Sequence, residues 1–262
     1  MNSNILNIQR LGKLIYRKWF HPTNFAWRNA LPIALIPVFL FLFSFIDDST
    51  VVAIGDRTSL FIFLLVVSIV FAPFFYFFNY NHPKKGIIDA MLPASSLEKF
   101  LTLQLTGLIY SPIIVLILYG GVDTLLSVIF PSRMPGHIFA ELINSIDVNW
   151  EELLLIFTAH QSIMFCNLWF RRNKLLKTFG VFVIFYVVVF GIFIGYFLLF
   201  IQSLDPNSNI SFNIFNDNGP LLIRRGDHPA IILIQYFRIF VDIIMPLGLT
   251  IGSYLILKKK KF

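Results

Sequence analysis

The chain has 262 residues; 57% are hydrophobic and 17% aromatic, only 13% are charged, and the mean hydropathy is +0.76 with a formal net charge of +7. Soluble domains average about 25% charged residues, so this chain lacks the polar surface to clothe a water-soluble core. The composition implies a membrane protein and excludes a large soluble domain, because six spans of about 20 residues leave only short loops.

In chain order, residues 3–20 come first. Ile5, Ile8, Leu11, Ile15, Trp19 and Phe20 fall on one helical stripe, and Arg10, Lys13 and Arg17 fall on another. That pattern predicts an amphipathic interfacial helix, basic toward anionic headgroups and ended by His21-Pro22. The alternative is a plain positive flank for the first span. Because basic residues interrupt the apolar positions, no cleaved signal peptide is expected and the N-terminus is read as retained.

Long apolar runs then predict six spans: Ala30–Ile46, Ser59–Phe78, Phe100–Gly120, Leu153–Phe170, Thr178–Ile201 and Ala230–Leu257. The first holds Pro32 and Pro37, which membrane helices tolerate. Between the second and third, residues 79–99 form a cytoplasmic loop in which Ser95 and Glu98 have capping-box spacing. The fourth span is the most polar, with Thr158, His160, Gln161 and Ser162 at membrane depth, where such groups serve as interhelical glue or line a substrate path. In the fifth, Gly191 and Gly195 permit close helix approach, either inside the chain or at a dimer seam. The sixth is too long for one straight crossing, so residues 230–237 are expected to form a separate outer helix. Arg238 and Asp242, four apart, can pair on one face or act in gating.

Most of the 21 Lys and Arg flank these runs on one side: Arg10 to Arg28, Lys84 to Lys99, Arg171 to Lys177 and Lys258 to Lys261. The positive-inside rule makes that side cytoplasmic. The fold expected is an all-α integral membrane protein with six transmembrane helices, cytoplasmic N- and C-termini and an N-terminal interfacial helix, in one transmembrane domain over 1–262. The basic balance is then a topology signal, and no nucleic-acid partner is expected.

Chemistry-bearing motifs are lacking. Cys166 is the only cysteine, the five histidines are dispersed, and no phosphate-cradling Gly-x-x-x-x-Gly-Lys occurs. No enzyme activity, catalytic residue, metal site or cofactor is expected on this chain.

The run Met91-Leu-Pro-Ala-Ser-Ser-Leu-Glu98 resembles the stretch after the second span of ABC-2-type transporter permeases, and the basic turn 170–178 resembles their loop between spans four and five. The resemblance implies the membrane subunit of an ABC exporter in the plasma (bacterial inner) membrane. Asp89, Met91, Leu92, Pro93, Ala94, Ser95 and Glu98 would then form a coupling surface for a separate ABC-type ATPase subunit, which carries the ATP and Mg. It further implies a homodimer, or a heterodimer with a second permease, surrounded by membrane lipid. The short first span and the long 121–150 loop depart from many relatives. A polytopic scaffold or regulator without transport is the rival reading.

Overall fold

The computed structural model describes residues 6–20, 26–46, 51–77, 94–145, 149–203, 236–237 and 239–259, and every regular element among them is helical. They are α1 (Ile8–Phe20), α2 (Ala26–Ile46), α3 (Ile54–Phe77), α4 (Ser96–Ile129), α5 (Ile138–Ser145), α6 (Trp150–Trp169), α7 (Lys174–Ser203) and α8 (Phe240–Lys259). Four of these, α3, α4, α7 and α8, are long and apolar enough to cross a membrane. α2 is apolar as well, with Pro32 and Pro37 inside it, and in α6 Glu151 and Glu152 open the helix ahead of its polar middle.

The centre of the bundle is α3 against α4 and α6, with α8 on the other flank of α6. Near the basic end of the bundle, Phe77, Phe100, Leu103, Met164, Leu168 and Leu257 form one buried cluster from four helices. Toward the opposite end Phe61, Val115, Tyr119 and Ile138 form another, with Phe61 and Tyr119 stacked at 5.4 Å. α7 has α6 as its main packing partner and leaves most of its described side chains exposed.

α4 differs from expectation both in where it ends and in its internal bonding. α4 does not stop at Gly120 but continues to Ile129, because the charge of Asp123 is neutralised inside the protein and Gly120 lets Phe139 of α5 close in; a Cβ there would lie 2.5 Å from Cζ of Phe139. The stretch expected as a loop from 121 therefore starts as helix and contains α5. α4 also departs twice from α-helical bonding, at π-helical turns Thr106–Tyr110 and Leu116–Gly120. Such turns insert a residue into the helix and rotate the side chains that follow. α8 opens with a π-helical turn of its own, Phe240–Ile244, and Tyr236, Phe237 and Ile239 before it are helical as well. Arg238 and most of the proposed outer helix at 230–237 lie outside the described residues.

Candidate functional site

The coupling surface expected at 89–98 is described only from Ala94 onward; Asp89, Met91, Leu92 and Pro93 lie outside the described residues. What is described is the capping box. The N–H of Glu98 donates to Oγ of Ser95 at 3.1 Å, and the N–H of Ser95 donates to Oε2 of Glu98 at 2.8 Å. Two otherwise orphaned backbone donors of α4 are thereby satisfied.

Glu98 does more than cap its own helix. Its second oxygen, Oε1, accepts from the N–H of Asn7 at 2.8 Å and lies 3.4 Å from Nε of Arg10. Asn7 in turn caps α1, its Oδ1 accepting from the N–H groups of Gln9 and Arg10 at 3.0 and 3.3 Å. One fully buried carboxylate thus joins the N-termini of two helices, where helix dipoles favour negative charge. Burial alone would raise the Glu98 carboxyl; the N–H donors of Asn7 and Ser95, the charge of Arg10 and the Ser95 hydroxyl outweigh it and hold the group below its ordinary value.

Farther along α4 the same face continues to receive α1. Thr102 and Thr106 back-bond to the carbonyls of Glu98 and Thr102 at 2.8 and 2.7 Å. The indole N–H of Trp19 donates to Oγ1 of Thr106 at 3.0 Å, and the hydroxyl of Tyr110 donates to the carbonyl of Trp19 at 2.8 Å. The rings of Trp19 and Tyr110 stack at 4.7 Å. Glu98, Thr102, Thr106 and Tyr110 recur every four residues, so they lie on one helical stripe. That spacing is readable in the sequence, but Thr102, Thr106 and Tyr110 give no signal as partners until α1 lies across them.

The apolar stripe expected on α1 divides. Leu11, Ile15 and Trp19 are half-buried, whereas Ile8 and Phe20 are exposed, next to Tyr16, whose ring lies 5.5 Å from that of Phe20. The helix therefore packs one edge on α4 and keeps a second apolar edge open.

The polar residues of α6 point into the protein. Pro73 has no N–H, which leaves the carbonyl of Ile69, four residues earlier, without its helical donor. Nδ1 of His160 sits 2.7 Å from that oxygen, which places the ring proton on Nδ1. Gly107 permits this, since a Cβ there would lie 2.4 Å from Cε1 of His160. Gln161 and Gln104 exchange reciprocal amide hydrogen bonds at 2.9 Å, and the amide of Asn167 donates to the carbonyl of Pro73 at 2.6 Å. Thr158 and Ser162 bond back to the carbonyls of Leu154 and Thr158. All four expected residues, Thr158, His160, Gln161 and Ser162, are buried and engaged with backbone or side chains of this chain.

At the other end of the bundle lies a cluster the sequence reading missed. Nη1 of Arg57 donates to both oxygens of Asp123, at 3.1 and 2.9 Å, and to Oγ of Ser127 at 2.9 Å, while Nη2 donates to the carbonyls of Pro135 and Gly136. Neither side chain of the ion pair is exposed. Gly136 makes the turn possible with φ of +77°, in space where a Cβ would strike Ile54. Opposite charges at matching heights of adjacent apolar helices are the clue the sequence offers to this pair.

Gly191 and Gly195 do not serve packing among the described residues, as a Cβ on either would meet nothing within 4 Å. Asp242 is half-buried in the π-helical turn of α8, and the pairing expected with Arg238 lies outside the described residues.

No family model, curated protein or solved structure matches the chain. The described residues contain no group of three or more His, Cys, Asp or Glu able to hold a metal ion.

Proposed function

We propose that this chain is the membrane-spanning permease subunit of an ABC-2-type exporter, crossing the plasma membrane six times with both termini in the cytoplasm. One observation carries the reading: the amphipathic N-terminal helix is tied through Glu98 to the first turn of the helix that follows the Leu-Pro-Ala-Ser-Ser stretch. A push on the 79–99 loop would then be delivered to α1 and to the core helix α4 together. ATP and Mg would belong to a separate ATPase subunit, and two permease subunits, identical or homologous, would complete the assembly. ATP-driven closure of the ATPase pair would shift the permease between inward and outward states by binding one of them more tightly.

The rival, a polytopic scaffold without transport, is favoured by one observation: Thr158, Gln161, Ser162 and Nδ1 of His160 on α6 are engaged within this chain. The two readings separate on Leu92→Asp. A charge at this loop position would enter a desolvated contact with the ATPase at a cost of several kcal/mol if unpaired. The variant should insert and assemble like the parent yet fail to co-purify with the ATPase subunit or to stimulate its turnover. Undiminished binding and turnover would remove the coupling role.

A further inference from the structure

α6, α7 and α8 enclose a cleft of about 450 Å³ lined by Phe165, Cys166, Phe182, Phe185, Met245 and Leu249, among others, and almost entirely apolar. It is half open, and Trp169 and Phe170 line it at the basic end of the bundle. Directly after them the chain turns tightly, with Asn173 in the left-handed region at φ of +51°. This turn presents Arg171 and Arg172, and the start of α7 presents Lys177, as exposed cations, Lys177 lying 5.7 Å from the centre of the Phe170 ring. Trp169 is 60% exposed. Tryptophan at a helix end marks the level of lipid headgroups, and cationic sites between helices at the cytoplasmic surface attract anionic ones.

We propose that this cleft is a binding site for one anionic phospholipid: an acyl chain lies between α6, α7 and α8, and the phosphate meets the Arg171, Arg172 and Lys177 turn. Trp169 and Phe170 line the cleft and directly precede Arg171 and Arg172, and Lys177 lies over Phe170, so one molecule with both chemistries satisfies both. Val181, Phe182 and Phe185 of α7 line the cleft without being buried, so an acyl chain lying there would contact them. This site needs only that the bundle lie in a membrane, and stands whether or not the chain is a transporter.

Native mass spectrometry of the purified full-length chain tests it, with phosphatidylglycerol and phosphatidylcholine of identical acyl chains as probes. One phosphatidylglycerol should be retained on the order of tenfold more tightly than phosphatidylcholine. Arg171→Gln combined with Arg172→Gln should abolish that preference, and Leu249→Trp, which fills the cleft without touching the turn, should abolish the retained molecule. If Leu249→Trp does not elute and melt like the parent, Val181→Phe fills the same cleft from α7. Equal retention of the two lipids, no retained lipid, or retention of phosphatidylglycerol unchanged by the cleft-filling variants overturns the proposal, as does competition by glycerol phosphate alone. A cleft occupied by residues 204–235 or by a second copy gives one of those results.

Discussion

The partnership of Pro73 and His160 shows how one missing backbone proton fixes a histidine. Removing the imidazole leaves the Ile69 carbonyl without a donor in a dry interior, where an unsatisfied acceptor costs about 1–3 kcal/mol. Restoring the N–H by Pro73→Ala removes the need. His160→Leu should therefore lower the unfolding midpoint of the detergent-solubilised protein in the parent background and much less in Pro73→Ala. Equal losses in the two backgrounds would mean that His160 acts through packing rather than through that carbonyl. The Arg57 and Asp123 pair obeys a related rule, since breaking a buried ion pair strands a charge at a cost of about 3–5 kcal/mol, whereas replacing both partners by apolar groups is far milder. Asp123→Leu or Arg57→Leu alone should destabilise the bundle severely, and the double replacement should recover much of the loss in the same melting measurement. Additive losses would count against pairing as the reason these charges are inside.

At the scale of elements, the latch between α1 and α4 depends on the charged form of Glu98. Its carboxyl is held below the ordinary value, so the stabilisation is complete above the usual glutamate range and disappears as pH falls through the lowered one. Spin labels at Lys13 on α1 and Leu175 on α7, both exposed, should give a narrow distance distribution at neutral pH that broadens in acid. Glu98→Gln should broaden it at neutral pH, because charge-assisted hydrogen bonds worth about 1.5–3 kcal/mol are weakened. A distribution unchanged by both treatments would show that Trp19 and Tyr110 hold α1 without the carboxylate. The cap itself was legible, since Ser95 and Glu98 have the required spacing. The second role of Glu98 was not, because spacing along one helix says nothing of which helix crosses it. The same limit hid the ion pair: hydropathy treats Arg57 and Asp123 as the ends of apolar runs, whereas their mutual burial lets both helices extend past them. The vacancy that Pro73 opens for His160 is a third instance, visible only once α3 and α6 lie side by side.

For the whole molecule, the decisive quantity is the sidedness of its charges. The helix pairs run so that α1, the start of α4, the end of α6, the start of α7 and the end of α8 share one end, as the contacts of Glu98, Phe77, Leu168 and Leu257 require. Arg10, Arg171, Arg172, Lys258 and Lys259 fall there, and the turn around Ser132 falls at the other end with Asp123. If positive charge is retained on the cytoplasmic side, the basic end faces inward. Asp123 is unsuitable for a labelling test, being fully buried, but Ser132 and Arg171 are exposed. In a Cys166→Ala background, an impermeant thiol reagent added to intact cells should label Ser132→Cys and leave Arg171→Cys unlabelled until the cells are opened. Labelling of Arg171→Cys from outside would turn the molecule over. It would place the Glu98 latch and the 79–99 loop away from any cytoplasmic ATPase, so the transport reading would fall, while the lipid cleft would remain and face the outer leaflet.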